Sequence, residues 1–371
     1  MSAGSIVQVT LWNSPYLGNV MLSELALARC VREQFGLGTH FVLAPGAEDK
    51  PWLERLEREG VTWSIFGLDR KAWRAHLEGV VEQYDGALIH THFTEADLQA
   101  AAAASTAGIP CVWHVRTGFT GYPLKQRLKD LIKWRMIARR RVARVITVSS
   151  WLAELSARRG APRARIETIP NAIAADRFAE LPERAAARER LGLDPDALVV
   201  SCFGWWPEIK GVDLYLDALE QIARDHPSLN ALLVGEQRMR EFVASRWPVK
   251  PDWLRMYGFV EDSAWLFAAT DVFVSASRAE GQSSAIGEAL ACEIPVVMSD
   301  IPGTSVWKEA PGLSTFRSED SGSLAAALGQ VLGQSPQERQ AAGRRSREWL
   351  EQNFSLDLWC ARMCATYRAL L

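Results

Sequence analysis

The 371-residue chain lacks several features that would identify large classes of protein. Its formal net charge is only −2, which excludes a globally basic nucleic-acid-binding protein. The sequence has no run of 18 apolar residues, so we expect no transmembrane helix. Its first residues show no basic segment followed by an apolar stretch and a cleavage site, which predicts a cytoplasmic protein.

Cysteine is scarce as well. The chain has six cysteines, and only Cys360 and Cys364 are close in sequence. Their spacing of four residues places them on one face of a helix, and no second pair of ligands accompanies them. We therefore expect two packed thiols there rather than a metal site.

Two common phosphate-binding motifs are absent. A dinucleotide-binding domain needs Gly-x-Gly-x-x-Gly between its first strand and helix, but here that turn is Asn13–Asn19 and has only Gly18. Gly36-Leu37-Gly38 follows a predicted helix, which is typical of a helix C-cap. No Gly-Lys-Ser/Thr sequence occurs. The sequence therefore argues against dinucleotide-dependent dehydrogenases and P-loop enzymes.

Short apolar runs alternate with longer helical patterns along the whole chain. This βαβ rhythm predicts parallel sheets with helices on both faces, in two series separated by the charged stretch Leu181–Leu193. The predicted strands of the first series are Ile6–Leu11, His40–Ala44, Ala87–His92, Cys111–Val115, Arg144–Val148 and Ile166–Ile169. Those of the second are Leu198–Phe203, Asn230–Val234, Leu254–Tyr257, Val272–Ala276 and Pro295–Ser299.

The most informative stretch runs from Arg278 to Val297. It places Glu280 in a Gly/Ser loop and Glu288 inside an apolar-faced helix that precedes a buried strand. Loop amides and a helix N-terminus bind phosphate, and a helix carboxylate can accept hydrogen bonds from a sugar diol. This layout predicts a nucleotide-sugar site, with the phosphates at the loop and the ribose at Glu288.

The spacing of Glu280 and Glu288 resembles the Glu-x7-Glu motif of retaining glycosyltransferases of the GT-B fold, family 4 in particular. Further blocks carry the resemblance in the order that the family has them. They are the turn with Gly18, Ile89–His92, Cys111–His114, Val145–Ser150 with Ile169–Ile173, and Phe203–Asp213.

The resemblance implies an α/β protein of the GT-B type: two Rossmann-like domains facing an interdomain cleft, with a C-terminal helix that crosses back to the first. Residues 1–180, with 355–371 packed on them, would bind the acceptor, and 181–354 the donor. The implied reaction is transfer of a hexosyl group from a nucleotide-diphosphate sugar, UDP- rather than GDP-linked, to an acceptor hydroxyl with retention. The acceptor would be a sugar, a lipid-linked glycan or a small molecule. No cofactor and no nucleic acid are implied.

The same resemblance implies three catalytic residues. Lys210 would stabilise the departing diphosphate, Glu280 would lie by the donor sugar ring, and His114 would orient the sugar. The other donor-binding residues that it implies are Gly18, Gly204, Phe259, Val260, Gly281, Gln282, Ser283, Ser284 and Glu288.

The sequence departs from the family pattern at several positions. Where the family has an arginine shortly after the glycine at 204, this chain has Trp205-Trp206, so one of two usual diphosphate cations is missing. Arg278 and Arg116 are the candidates to replace it. The other departures are Asn19, Ala172, Gln282 and Glu293.

Metal binding is not expected at the site. His90 and His92 share one strand face, but no carboxylate or cysteine partner accompanies them in the sequence, which favours a structural or acceptor-side role. We also expect no Asp-x-Asp pair of the kind with which GT-A enzymes hold a divalent cation on the diphosphate. Metal-independent transfer follows as a prediction.

The segment Lys125–Arg144 carries nine basic residues and one acid, Asp130, with apolar residues interleaved. Such a segment can lie on an anionic lipid surface, form a solvated outer helix or bind an anionic acceptor. The first reading predicts attachment to the inner face of the membrane.

Two other functions stay open at this stage. A GT-B epimerase would have the same two-domain layout and would convert one UDP-sugar without an acceptor. A catalytically silent sugar-nucleotide-binding or scaffold protein would explain the missing arginine.

Overall fold

The computed structural model describes residues 4–93, 95–118, 133–258 and 263–371. The chain forms two compact units, one of residues 1–172 with 356–371 and one of residues 173–355. The division falls eight residues before the predicted boundary at 180. Ile173 N donates to Phe354 O at 2.9 Å, which ties the start of the second unit to the end of its last helix.

The first unit is built on a parallel sheet. Its strands are β1 (Ser5–Val9), β2 (Gly38–Leu43), β3 (Thr62–Ile65), β4 (Gly86–His92), β5 (Cys111–Val115), β6 (Arg144–Thr147) and β7 (Ile166–Thr168). They are hydrogen-bonded in the order β3-β2-β1-β4-β5-β6-β7. Every residue of β1 is buried, as expected of a strand covered on both faces by helices.

The helices of the first unit connect these strands. They are α1 (Gly18–Phe35), α2 (Leu53–Arg58), α3 (Trp73–Gln83), α4 (Asp97–Ala107), α5 (Arg139–Arg141) and α6 (Ser150–Arg159). Short 3-10 helices span Arg70–Ala72 and Arg163–Arg165. A π-helix, Lys133–Ala138, runs directly into α5. Sequence periodicity predicts one α-helix over Leu124–Val142, but its described part is therefore π-helical for six residues, and residues 119–132 lie outside the described chain.

The second unit holds another parallel sheet. Its strands are β8 (Leu198–Phe203), β9 (Leu229–Val234), β10 (Leu254–Tyr257), β11 (Val272–Ser275), β12 (Val296–Ser299) and β13 (Leu313–Phe316), in the order β10-β9-β8-β11-β12-β13. Its helices are α7 (Arg184–Arg190), α8 (Val212–Ile222), α9 (Gln237–Arg246), α10 (Ala264–Ala269), α11 (Ser284–Ala291), α12 (Ser321–Leu332) and α13 (Pro336–Phe354), with 3-10 helices at Ala175–Phe178 and Pro302–Trp307.

The last helix, α14 (Leu356–Arg368), belongs to the first unit although it follows the second in the chain. Its buried face carries Trp359, Met363 and Tyr367, which pack in one cluster with Ile6 and Leu27 of β1 and α1. The predicted return of the C-terminal helix to the first domain is thus confirmed.

Strand order reverses at one place in each sheet. In the first unit β1 lies between β2 and β4, and in the second β8 lies between β9 and β11. Connections leaving the two central strands diverge to opposite faces there, which opens a crevice at their carboxyl ends where ligands bind in folds of this type. Among the helices of the described residues, none combines the length and apolarity needed to cross a bilayer.

Candidate functional site

Two loops meet at the carboxyl ends of β8 and β11 in the second unit, and they bring together two predicted catalytic residues. Lys210 Nζ donates to Glu280 Oε1 at 2.6 Å, although 70 residues separate them. The approach depends on Gly211, which has φ of +62° and whose Cβ would lie 2.1 Å from the carbonyl oxygen of Ala276. A side chain there would push the Lys210 turn away from β11.

Glu280 is held from other directions as well. Ser277 donates its hydroxyl to Glu280 Oε1 at 2.7 Å, and Ser299 in turn donates to Ser277 O at 2.6 Å. A Cβ on Gly303 would lie 2.0 Å from the carbonyl oxygen of Glu280, so the 3-10 helix Pro302–Trp307 also packs directly on this residue. The carboxylate is thus fixed at the strand end with one oxygen facing an ammonium group.

The predicted phosphate loop begins at Gly281 and leads into α11. Gln282 and Ser283 are buried, and Ser284 is the first residue of the helix. The Ser283 side chain makes no capping hydrogen bond, so the first N–H groups of α11 are not satisfied by it. Those groups and the positive end of the helix dipole favour an anion at this point.

Glu288, the predicted ribose ligand, lies in α11 beside a residue that the sequence does not identify. Arg177, from the 3-10 helix Ala175–Phe178, places Nη1 3.5 Å from Glu288 Oε1. Burial raises the pKa of the Glu288 carboxyl, and Arg177 counters part of the rise. No local signal in the sequence links these two residues, because they are 111 positions apart and only the fold joins them.

The two arginines considered as replacements for the missing diphosphate cation are both already bound. Arg278 donates to both carboxylate oxygens of Asp213, each at 2.7 Å, and to Glu319 at 2.8 Å. These hydrogen bonds raise its pKa above the usual value. Arg116 lies in the first unit and donates to Glu24 at 2.5 Å. Neither is an open phosphate ligand in this structure.

Gly204 directly follows β8, and its N–H donates to Val234 O at 2.8 Å. In the segment that follows, Trp206 is 54% exposed and has the guanidinium of Arg238 4.9 Å from its ring centre. Phe259 and Val260, the remaining predicted donor contacts in this unit, lie outside the described residues.

The expectation that the chain has no Asp-x-Asp motif was wrong, because Asp194-Pro195-Asp196 is such a motif. It precedes β8 and therefore lies at the amino end of the sheet, opposite to the loops of Lys210 and Glu280. Asp194 Oδ1 accepts from Asp196 N at 2.8 Å, which is the geometry of an Asx turn.

The first unit holds the other predicted residues, Gly18 and His114. Gly18 begins α1 with φ of +61°. His114 is the penultimate residue of β5 and is paired in register with His92 of β4. His90, two residues earlier on β4, points to the same face, and one ring nitrogen from each of the three histidines lies within 4.8 Å of the others. All three are fully buried.

Three clustered imidazoles are a common metal-binding arrangement, but the hydrogen bonds of this cluster argue against it. Arg116 directs two N–H groups at His92 Nδ1, from 3.2 and 3.1 Å, and Gln8 Oε1 lies 2.8 Å from His92 Nε2. Both nitrogens of His92 are therefore engaged, one of them with a cation that would repel a metal ion.

Glu24, on α1, completes this cluster, and the sequence gives no sign of it. Burial raises the pKa of the Glu24 carboxyl to about 7, while Arg116 acts in the opposite direction. Its Oε2 has no partner within the described residues, nor has His90 Nε2 or either ring nitrogen of His114. This concentration of unpartnered polar atoms distinguishes the carboxyl end of β4 and β5 from an ordinary core.

Two family descriptions match the chain. Glycosyltransferase Family 4 matches residues 34–177 and Glycosyl transferases group 1 matches residues 195–334. Together they cover most of the first unit and most of the second.

Among the curated relatives, the UDP-Gal:alpha-D-GlcNAc-diphosphoundecaprenol alpha-1,3-galactosyltransferase of Escherichia coli is 27% identical over 234 residues, which is 60% of this chain and 60% of that protein. The lipopolysaccharide core biosynthesis mannosyltransferase LpsB of Rhizobium meliloti (strain 1021) is 28% identical over 247 residues, 59% of this chain and 66% of LpsB. The matches thus span less than two thirds of these relatives.

Solved structures match over the whole length. Anabaena Alr3699/HepE in complex with UDP has a TM-score of 0.82 at 20% identity, with 99% of this chain and 100% of that one covered. Sucrose-phosphate synthase from Thermosynechococcus elongatus has a TM-score of 0.77 at 18% identity, with 99% of each covered. At these identities the likeness establishes the two-unit fold.

Proposed function

Since this chain belongs to the group 1 and family 4 glycosyltransferases of the GT-B fold, we propose that it transfers a hexosyl group from a UDP-sugar to an acceptor hydroxyl. Transfer retains the anomeric configuration and needs no metal ion. The observation that carries the proposal is the Lys210–Glu280 pair at the β8–β11 crevice, beside a helix N-terminus that Ser283 leaves uncapped.

In the proposed reaction the donor lies in the second unit. The diphosphate binds the N–H groups of Gly281–Ser284 and Lys210, and the ribose hydroxyls bind Glu288. The bond between the anomeric carbon and the diphosphate oxygen breaks, and the diphosphate leaves with its electron pair. The acceptor oxygen then bonds to the anomeric carbon on the same face. A leaving phosphate oxygen takes the acceptor proton, and Lys210 neutralises the developing charge. His114 orients the sugar.

UDP is the proposed nucleotide because two similar proteins point to it. HepE was solved with UDP and with UDP-glucose, and the E. coli relative is named for UDP-Gal. The diphosphoundecaprenol in that relative's name also supports a lipid-linked acceptor as one of the candidates for this chain.

The test is incubation of the purified protein with UDP- and GDP-sugars, with and without EDTA. We expect slow release of UDP from one UDP-sugar, unchanged by EDTA. We also expect Glu288→Gln to bind UDP at least about tenfold more weakly than wild type, because one charge-assisted hydrogen bond is lost. The exposed Glu309→Gln is the matched control and should bind UDP normally.

Each other outcome has a separate meaning. Release from GDP-sugars alone would reject UDP, and EDTA-sensitive release would reject metal independence. An epimerised UDP-sugar without release would support the epimerase. Failure to bind or cleave any donor would support the silent scaffold, with Trp205 in place of the missing cation as its cause.

We further propose that the described part of the basic segment, residues 133–144, attaches the protein to anionic lipid. Arg135, Arg139, Arg140 and Arg141 are exposed, whereas Lys133 is engaged with Asp97 at 2.6 Å. Exposed arginines that lie close together bind an anionic surface, and each contributes about 1 kcal/mol to the binding free energy.

Co-sedimentation with vesicles checks this attachment. We expect binding to vesicles containing phosphatidylglycerol, none to pure phosphatidylcholine, and about 100-fold weaker binding when Arg139, Arg140 and Arg141 are all changed to Gln. The exposed pair Arg344 and Arg345 on α13, changed to Gln, is the control. Equal loss in both variants would contradict a local lipid-binding segment.

A further inference from the structure

A continuous chain of hydrogen bonds joins five buried side chains in the first unit. It begins at Arg116, after β5, passes through His92 of β4, Gln8 of β1 and Tyr367 of α14, and ends at His90 of β4. Each of the five is at most 4% exposed. Water therefore cannot replace any of these partners at little cost.

The first links fix which nitrogen of His92 carries a proton. A guanidinium has only N–H donors, so His92 Nδ1 must accept from Arg116. Burial lowers the pKa of the His92 imidazole well below its usual value, with His90 and Arg116 acting in the same direction. The ring is neutral at neutral pH, and its one proton lies on Nε2, which donates to Gln8 Oε1 at 2.8 Å.

The remaining links carry this direction to His90. Gln8 Nε2 donates to the Tyr367 hydroxyl at 3.0 Å, and that hydroxyl has one proton of its own, which it donates to His90 Nδ1 at 2.6 Å. The reverse orientation of the Gln8 amide would set N–H against the N–H of His92. Since burial also keeps His90 neutral by lowering its pKa, its proton is left on Nε2.

The Nε2–H group of His90 has no acceptor within the described residues, and neither ring nitrogen of His114 has a partner there. The two rings are parallel within 4°, with their centroids 5.3 Å apart. A neutral imidazole has one donor and one acceptor, and buried polar groups are nearly always paired. A hydroxyl, which donates once and accepts twice, matches this set.

We propose that the chain from Arg116 to Tyr367 holds the His90 Nε2 proton beside His114, so that the two imidazoles bind one hydroxyl of a substrate sugar. Tyr367, on the C-terminal helix, is then a positioning residue that acts through His90. The inference rests on the proposed function, since it concerns how the same transfer reaction is supported.

Kinetics of Tyr367→Phe test the positioning role. Without its hydroxyl, His90 Nδ1 loses its donor, and we expect kcat to fall about tenfold, the size of one net hydrogen bond, with UDP affinity unchanged. The control is Trp359→Phe, another buried aromatic of α14 that takes no part in the chain. A loss of the same size in both variants, or no loss in Tyr367→Phe, would overturn the role.

Nitrogen NMR of the protein labelled with ¹⁵N-histidine tests the chain without any turnover. We expect an Nε2–H tautomer for His90, assigned by its absence in His90→Gln, and loss of that single tautomer in Tyr367→Phe. An Nδ1–H tautomer in the wild type would overturn the proposal. Purification of the wild type with a stoichiometric transition metal, absent from His90→Gln, would also overturn it. A metal would need the lone pair of His90 Nε2, where the hydrogen-bond chain places a proton. If the wild type transfers no sugar, the proposed function fails while this spectrum still decides the chain.

Discussion

Replacing Lys210 by alanine is expected to lower kcat about 10³-fold, the effect of removing one preorganised charge stabiliser from a transition state. The Lys210 ammonium lies 2.6 Å from Glu280 Oε1, and the lysine side chain is only 24% exposed, so water does not fully replace it. Negative charge on the diphosphate grows as the sugar departs. The effect should therefore fall on kcat rather than on KM, which steady-state kinetics with a saturating donor will measure.

Two variants make the Lys210 result interpretable. Lys210→Arg keeps the charge and should retain more activity than alanine. Lys308→Ala removes another lysine of the second unit that is paired with a carboxylate, Asp300 at 2.6 Å, but is 45% exposed and outside the loops of the site. Turnover of Lys210→Ala close to that of Lys308→Ala would reject Lys210 as the diphosphate ligand.

Most strands of both sheets follow directly from sequence, including the edge strands β7 and β10, whereas the edge strands β3 and β13 do not. Apolar runs such as Leu198–Phe203 are found at their observed bounds because a strand buried on both faces needs continuous apolar residues. The edge strand β3, Thr62–Ile65, is only partly buried and contains Thr62 and Ser64, so it has no such run. The edge strand β13, Leu313–Phe316, is missed for the same reason.

Helix α7 was not predicted from the sequence for a different reason. The sequence predicts only a charged stretch at Leu181–Leu193, which separates the two series of strands and helices. In the structure Arg188 is 3% exposed and binds Asp271 at 2.8 Å and the carbonyl of Pro195. A buried ion pair between residues 83 positions apart orients this helix, and a local pattern cannot reveal such a partner.

In the candidate site, too, some residues could be predicted from the sequence and others could not. Lys210 and Glu280 belong to short motifs, and their meeting follows from the strand order, since both loops leave the carboxyl ends of neighbouring strands β8 and β11. The partners that orient the motif residues come from elsewhere in the chain. Arg177 beside Glu288 and Tyr367 beside His90 are examples. Motifs thus predict which groups act, and the fold decides what holds them.

The largest expected effect on stability comes from Arg116. Changing it to methionine removes the guanidinium that donates to the Glu24 carboxylate, His92 Nδ1 and Asn171 Oδ1, and it leaves the buried Glu24 carboxylate without this cation. Removing one partner of a buried ion pair lowers the free energy of unfolding by about 3–5 kcal/mol. The exposed pair Arg29–Glu59 on the same unit provides the contrast, and Arg29→Ala should cost about 1 kcal/mol or less.

The loss caused by Arg116→Met should also depend on pH, in a direction that follows from Glu24. A carboxyl whose folded pKa is raised to about 7 contributes stability at low pH, and this contribution disappears as the pH rises through 7. Without Arg116 that pKa rises further, and the neighbouring imidazoles, whose pKa values Arg116 lowers, gain protons more readily. Both changes make the variant's loss of unfolding free energy smaller at pH 6 than at pH 8.

Urea unfolding at pH 6 and pH 8 measures this loss. The double variant Arg116→Met with Glu24→Gln should recover stability mainly at pH 8, because the second substitution removes the uncompensated charge. A deficit equal at both pH values, or no larger than that of Arg29→Ala, would contradict a buried Arg116–Glu24 pair at the base of the histidine cluster.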